Sequence, residues 1–279
     1  MRNNHLLLPS FLAHYRRLGV TRFLVVDDHS TDGTCDVLLS QPDVDLFRPS
    51  LSYAQALRGK LWREAVVRCY GRHRWYVNVD ADEYLVYDQY QSRSLREVIA
   101  RMRMLGIDRL AAPMIDLYPT GTIESAQFAD LADRMPWEAV PLFDADGYSF
   151  EFGRRSMRIR GGVVRRAFAA DIELVKFPII NWDTMTVLAR SIHYPLPYWR
   201  NFGPIGGALL HFRFVTGFAC RAAEAVATGQ YAGQSKFYKD VLKSDFDLSN
   251  ASLRGRCSVR FEGDRQLSDL GFFVRLFDQ

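Results

Sequence analysis

Tyr76-Val77-Asn78-Val79-Asp80-Ala81-Asp82-Glu83-Tyr84 reads as a hydrophobic strand that stops at two carboxylates two residues apart. In extended backbone the side chains of Asp80 and Asp82 face the same side, and the small Ala81 points away from them. Upstream, Arg22-Phe-Leu-Val-Val26 makes a short buried-strand candidate that runs straight into Asp27-Asp28-His29-Ser30. Two acidic strand ends in one stretch carry more information than either alone, because ligands of α/β sheets collect at the carboxyl ends of strands.

Helical spacing surrounds these strands. Phe11, Leu12, Tyr15 and Leu18 recur on one face, and Gly19 ends the pattern. Thr31 to Gln41 suits a helix capped from Ser30–Asp32, Val44 to Phe47 a second short strand, and Ala54, Leu57, Leu61 and Ala65 a long helix before the strand Trp75–Val79. Leu95, Val98, Ile99 and Met102 mark another helix, Arg109 to Leu117 a further strand, and Val215, Phe218, Ala219, Ala222 and Val226 a late amphipathic helix. Strands alternating with helices predict an α/β fold with a mainly parallel central sheet flanked by helices. From about 118 to 195 the pattern is irregular, as expected for mixed strands and loops over a cleft.

The 279 residues, 48% hydrophobic and 24% charged, are long enough for one large domain. The expected division is a single domain over 1–279, with a ligand-binding half at 1–90, a second half at 91–220 and a helical or irregular extension at 221–279. A formal charge of +4 without a dense basic block gives no reason to propose nucleic acid. The main basic cluster, Arg154, Arg155, Arg158 and Arg160, is either a solvated edge or a contact for an acidic ligand. Cys35, Cys69, Cys220 and Cys257 lack metal-site or disulfide-framework spacing and suit free thiols in a reducing compartment. No run of ~18–20 apolar residues is present, so no spanning helix is expected. A cytoplasmic location is expected, with peripheral association at the inner membrane face compatible with it. The signatures of serine hydrolases, zincins, P-loop NTPases and dinucleotide oxidoreductases are all lacking.

Hard oxygen donors such as Asp80 and Asp82 suit Mg²⁺ or Mn²⁺ together with substrate phosphates, and a solvated turn is the plain alternative. Asp27 and Asp28 suit either a ligand hydroxyl or a helix cap. His211, between Leu210 and Phe212, is either a satisfied core histidine or a residue emerging to contact metal or phosphate. Asp116 interrupts an apolar run, where a buried charge needs a reason; it is the first candidate general base, Asp144 the second, with Asp183 and Glu151 left open.

In order along the chain, several segments resemble the nucleotide-sugar glycosyltransferases of the GT-A fold, in particular a family 2-like bacterial group. Arg2-Asn3-Asn4 resembles the segment after the family's first strand, and Val25-Val26-Asp27-Asp28-His29-Ser30-Thr31-Asp32-Gly33-Thr34 its nucleotide-side strand and turn. Asp80-Ala81-Asp82 matches its metal-binding Asp-x-Asp. Met114-Ile115-Asp116-Leu117-Tyr118-Pro119, Phe143-Asp144-Ala145-Asp146-Gly147-Tyr148, Leu174-Val175-Lys176-Phe177-Pro178 and Gly207-Ala208-Leu209-Leu210-His211-Phe212-Arg213-Phe214 continue the series. The resemblance implies a GT-A-like, Rossmann-like fold, with the first strand missing ahead of Arg2. It implies metal-dependent, inverting transfer of a sugar from a nucleoside diphosphate-sugar of UDP or GDP type to a carbohydrate or lipid-linked hydroxyl in surface glycan synthesis. Arg2, Asn3, Asp28 and Asp80 would then meet the nucleotide, and Asp80, Asp82 and His211 the Mn²⁺ or Mg²⁺ ion. The common glutamate after Arg-Asn is Asn4 here. The competing readings are a catalytically silent carbohydrate-binding or scaffold relative and an Asp-x-Asp phosphatase or phosphotransferase.

Overall fold

The computed structural model of the chain describes residues 1–126, 128, 134–189 and 192–277. Its first third alternates helix and strand as the periodicity implies: α1 (Leu8–Leu18), β1 (Phe23–Val26), α2 (Thr34–Leu39), β2 (Val44–Phe47), α3 (Lys60–Tyr70) and β3 (Arg74–Val77). Next come β4 (Glu83–Tyr87), α4 (Leu95–Met104), β5 (Arg109–Asp116), α5 (Pro136–Ala139) and β6 (Leu142–Asp144). The hairpin of β7 (Tyr148–Phe152) and β8 (Met157–Gly161) leads into α6 (Gly162–Phe168) and the long β9 (Val175–Trp182). Two-residue strands β10 (Val187–Leu188) and β11 (Pro195–Leu196) precede β12 (Gly207–His211), α7 (Phe218–Thr228), α8 (Ala232–Lys243), β13 (Ser258–Arg260) and α9 (Asp264–Asp269).

The central sheet is not the mainly parallel, Rossmann-like one that this alternation suggested. Its order is β3-β9-β5-β12-β4, and only β12 and β5 run parallel; the other three pairings are antiparallel. The reason lies in distance along the chain. β3 takes as its partner β9, a strand of the irregular region, while β1 and β2 pair in parallel as a separate two-stranded sheet. Helix–strand alternation reports local order but does not say which strands become neighbours.

Burial explains why the centre holds. Every residue of β4, β5 and β12 is buried, as expected of strands covered on both faces. α1 lies against β4 through Leu8, Phe11, Leu12, Tyr15 and Leu18, all buried. Its polar members are tied to the strand it covers. Tyr15 Oη donates to the Glu83 carbonyl (2.9 Å), Ser10 Oγ and Tyr84 Oη share a hydrogen bond (2.8 Å), and His14 Nε2 meets the Leu85 carbonyl (2.9 Å). Burial lowers the His14 pKa to about 4, so the ring is neutral and acts as packing. The left-handed Gly19 (φ 99°) ends the helix where the sequence places its stop. α4 begins on a full capping box between Ser94 and Glu97.

Among the described residues all four cysteines are free, and no helix is long and apolar enough to cross a membrane. The basic cluster is a surface edge for Arg160, which pairs with Asp171 (2.9 Å), and for Arg158, which faces Glu173 (3.5 Å).

Candidate functional site

The register of the central sheet assembles one polar cluster at its end. His211, the last residue of β12, is opposite Glu83 at the start of β4 and opposite Asp116 at the end of β5. The Asp82 carbonyl accepts from the Phe212 amide (2.9 Å), which holds the preceding turn against the same edge. Lys176, near the start of β9, and Arg63, on α3, reach in from either side. Of this cluster, Arg63, Asp80, Asp82 and His211 line a cavity of about 1030 Å³.

Each carboxylate of the cluster already has a cation. Lys176 Nζ is 2.5 Å from Asp80 Oδ2 and also bonds Glu83, while Arg63 bonds the other oxygen of Asp80. His211 is held between Asp82 (Nε2 to Oδ2, 3.3 Å) and Asp116 (Nδ1 to Oδ1, 2.8 Å), and Arg213 Nε adds a second cation to Asp116 at 2.7 Å. Burial alone would push these carboxyls up, but the charges beside them win. Lys176 and Arg63 hold Asp80 well below the usual range, His211 lowers Asp82, and Arg213 with His211 lowers Asp116. Burial and Arg213 oppose a charge on His211, yet Asp82 and Asp116 outweigh both and raise its pKa to about 9. The ring is therefore an imidazolium at neutral pH. Glu83 is the exception: its burial keeps the carboxyl above 4.5 despite Lys176, whose own pKa is raised by Asp80 and Glu83.

This donor set does not fit the expected divalent ion. Asp80, Asp82 and His211 come together as the sequence implies, but as ion-pair partners. Both nitrogens of His211 face carboxylates, and Asp80 is bracketed by Arg63 and Lys176, so these side chains are turned toward one another rather than toward a common centre. No group of three or more His, Cys, Asp or Glu among the described residues is placed to hold a metal. These residues therefore do not form the Mn²⁺- or Mg²⁺-dependent site that the sequence suggests. With it goes the metal–diphosphate arrangement that the Asp-x-Asp, GT-A, family 2 and polysaccharide-synthesis reading required.

The other candidates distribute unevenly. Asp28 and Arg2 line the cavity, Arg2 pairing with Glu224 at 3.2 Å. Asn3 also lines it and is tied to the 30–31 turn, donating to Ser30 Oγ (2.9 Å) and accepting from the Thr31 amide (2.8 Å). Asp27 is fully buried and accepts from the Ser30 amide (3.1 Å) and the Cys35 thiol (3.1 Å), which ties down the turn ahead of α2 without capping it, since the N-cap is Gly33. Asp116 is buried behind His211. Asp144 is buried with Tyr118 and Arg166 (Nε to Oδ2, 2.8 Å) and is not part of the cavity lining. Asp183 pairs with Arg200 at 2.6 Å, and Glu151 lies in the exposed β7 strand; neither lines the cavity.

Several lining residues went unnoticed in the sequence. Trp62, Tyr53, Tyr231 and Tyr238 form a chain of aromatic contacts, with ring centroids 5.8, 5.6 and 5.2 Å apart. Beside it, Arg221 donates to the carbonyls of Thr216 (2.8 Å) and Val215 (3.1 Å) and forms no ion pair among the described residues. Lys176, which is buried and not among the lining residues, has a legible signal in the sequence, a charge inside the apolar run 174–178. The aromatic wall had none, because its members come from segments about 180 residues apart.

No family model matches the chain, and no curated protein matches its sequence. The glycosyltransferase assignment thus loses its metal site to the ion pairs and gains no support from known sequences.

Proposed function

We propose that the polar end of the cavity binds a small anionic molecule with a ring-shaped body, a phosphate monoester being the simplest fit, through cationic side chains and without a divalent ion. The observation that carries this reading is Arg221, a cation at the cavity wall with no carboxylate partner, next to the aromatic chain of Tyr53, Tyr231 and Tyr238. Arg63, Lys176, His211 and Arg213 are matched by Asp80, Asp82, Glu83 and Asp116, which leaves Arg221 as a cation at this end without a carboxylate partner among the described residues.

A guanidinium offers parallel N–H donors that match phosphate oxygens, and tyrosine faces offer a platform for a ring. Asp28, at the end of β1, supplies acceptors for hydroxyl groups, with Arg2 and Asn3 completing that rim. In this reading Asp82 and Asp116 position His211 as a fixed positive charge, and Asp144 plays no part in ligand contact.

Calorimetric titration in the presence of a chelator tests it, using phenyl phosphate, a hexose phosphate and a nucleoside monophosphate. Inorganic phosphate and the unphosphorylated parents serve as controls. At least one ester binds more tightly than its parent and than inorganic phosphate, and Arg221→Ala weakens that binding by about tenfold to a hundredfold. The reading fails if no ester exceeds inorganic phosphate or if Arg221→Ala binds as the parent chain does.

A further inference from the structure

The hairpin of β7 and β8 has one edge unpaired. Its register sets Tyr148 opposite Gly161, Phe150 opposite Ile159 and Phe152 opposite Met157. The Gly162 amide donates to the Gly147 carbonyl (3.3 Å) and the Gly153 amide to the Ser156 carbonyl (3.0 Å), at the two ends of the same register. Hydrogen-bonded pairs alternate along an antiparallel ladder, so Gly147, Ser149, Glu151 and Gly153 direct their peptide groups at β8. The peptide groups of Tyr148, Phe150 and Phe152 therefore point the other way. Along β8 the same alternation turns Ile159 outward, and there the Leu174 amide donates to its carbonyl (2.7 Å). Nothing comparable meets β7: among the described residues it pairs with β8 alone.

The open strand is also apolar. Phe150 is 41% exposed and Phe152 82%, more than any other large apolar side chain among the described residues. By the two-residue period of a strand they share a face with Tyr148, whose ring packs on Phe272 with centroids 5.0 Å apart. Opposite charges flank the strand. Asp146 is exposed in the turn before β7 and Arg154 in the turn after it, and neither has an ion-pair partner among the described residues. A two-stranded ribbon with an open apolar edge is marginal in water and prone to take on another strand.

We propose that β7 pairs antiparallel with β7 of a second copy of this chain, about a two-fold axis at Phe150, in one sheet of order β8-β7-β7-β8. The outward peptide groups of Tyr148, Phe150 and Phe152 are symmetric about Phe150, so this centre uses all of them. Phe150 exchanges hydrogen bonds with the partner's Phe150, and Phe152 with the partner's Tyr148. Phe152 thereby gains an apolar neighbour on its own face. The same register sets Arg154 opposite the partner's Asp146, and by symmetry this contact occurs twice. A parallel pairing in register would instead set Arg154 against the partner's Arg154, and like charges directly opposite are destabilising. An extended segment of another protein lacks this self-match, which is why the occupant is a second copy. On the other face Glu151 comes opposite the partner's Ser149 and keeps Arg158 of its own hairpin across the strand. Each hairpin offers one open edge, so the assembly closes at two copies. The surface covered is small, which makes the dimer weak, with a Kd on the order of 10 µM. None of this depends on the cavity or on the ligand assigned to it.

Sedimentation velocity of the intact chain from roughly 1 to 300 µM tests it, with hydrogen exchange measured at both ends of that range. Monomer passes to dimer, and the Phe150 and Phe152 amides exchange about tenfold more slowly in the concentrated sample. Phe150→Pro removes a donor that faces away from β8, so the Ser149 and Glu151 amides stay protected while the dimer weakens by at least about tenfold. Arg154→Asp and Asp146→Arg each weaken it by roughly threefold to tenfold, and the two together restore it. A monomer throughout, or growth past the dimer, overturns the proposal. So does a dimer that keeps its affinity in Phe150→Pro or leaves the Phe150 and Phe152 amides unprotected, which would place the contact elsewhere. A double charge variant no tighter than either single one refutes the register.

Discussion

The two ends of the cavity differ in what they leave unmatched. At the polar end the charged side chains are almost all paired: Asp80 with Arg63 and Lys176, Asp82 with His211, Asp116 with His211 and Arg213. At the apolar end the side chains are packed and it is the backbone that stays open, along the edges of β1 and β3. The contrast teaches that an acidic strand end does not by itself make a metal site. Its carboxylates are committed by whichever cations the rest of the fold delivers.

Breaking the polar end at its most buried pair gives the largest effect. Lys176→Met strands Glu83 and Asp80 without their shared cation, and urea denaturation should show a loss of about 3–5 kcal/mol. Adding Glu83→Gln should restore part of that loss. Full stability in the single variant would mean that the pair is not formed.

The comparison sharpens with pH. His211 has a folded pKa of about 9 against an ordinary 6.5, so its stabilisation is complete below about 6.5 and is lost as pH rises through 9. The fall amounts to roughly 3 kcal/mol. His211→Gln should flatten this alkaline limb and weaken the acid limb by the share that His211 gives Asp82 and Asp116, leaving the share of Asp80, which Lys176 and Arg63 supply. An unchanged alkaline slope in His211→Gln would assign the titration to another group.

The smallest effect belongs to the wall of the apolar end. Ser94→Ala removes the cap of α4, which lines that end through Leu95 and Ile99, and should cost about 1 kcal/mol by denaturation without changing ligand affinity at the polar end. A matching loss of affinity would show that the two ends are coupled.

Much of the local structure was legible. The apolar spacing of Phe11, Leu12, Tyr15 and Leu18 gives α1, Gly19 gives its end, and the short, largely apolar segments Phe23–Val26 and Val44–Phe47 give β1 and β2. The meeting of Asp80, Asp82, Asp116 and His211 was also within reach, since each is a polar residue at the end of an apolar strand. What was not legible is long-range. Nothing near Trp75–Val77 says that its partner is Ile179–Asn181 rather than the neighbouring β1, and that choice decides a mostly antiparallel sheet against a parallel one. Likewise the chemistry of Asp80 depends on Lys176, 96 residues away, which turns a candidate metal ligand into half of an ion pair.

The central claim is that the acidic strand end is neutralised by the protein's own cations. Titrating Mn²⁺ into the intact protein, with and without a nucleoside monophosphate, and following the resonance of the free ion tests it most directly. The account predicts that the protein leaves the free-ion signal unchanged in both series. Saturable uptake of one Mn²⁺ that disappears in Asp80→Asn and Asp82→Asn would contradict it.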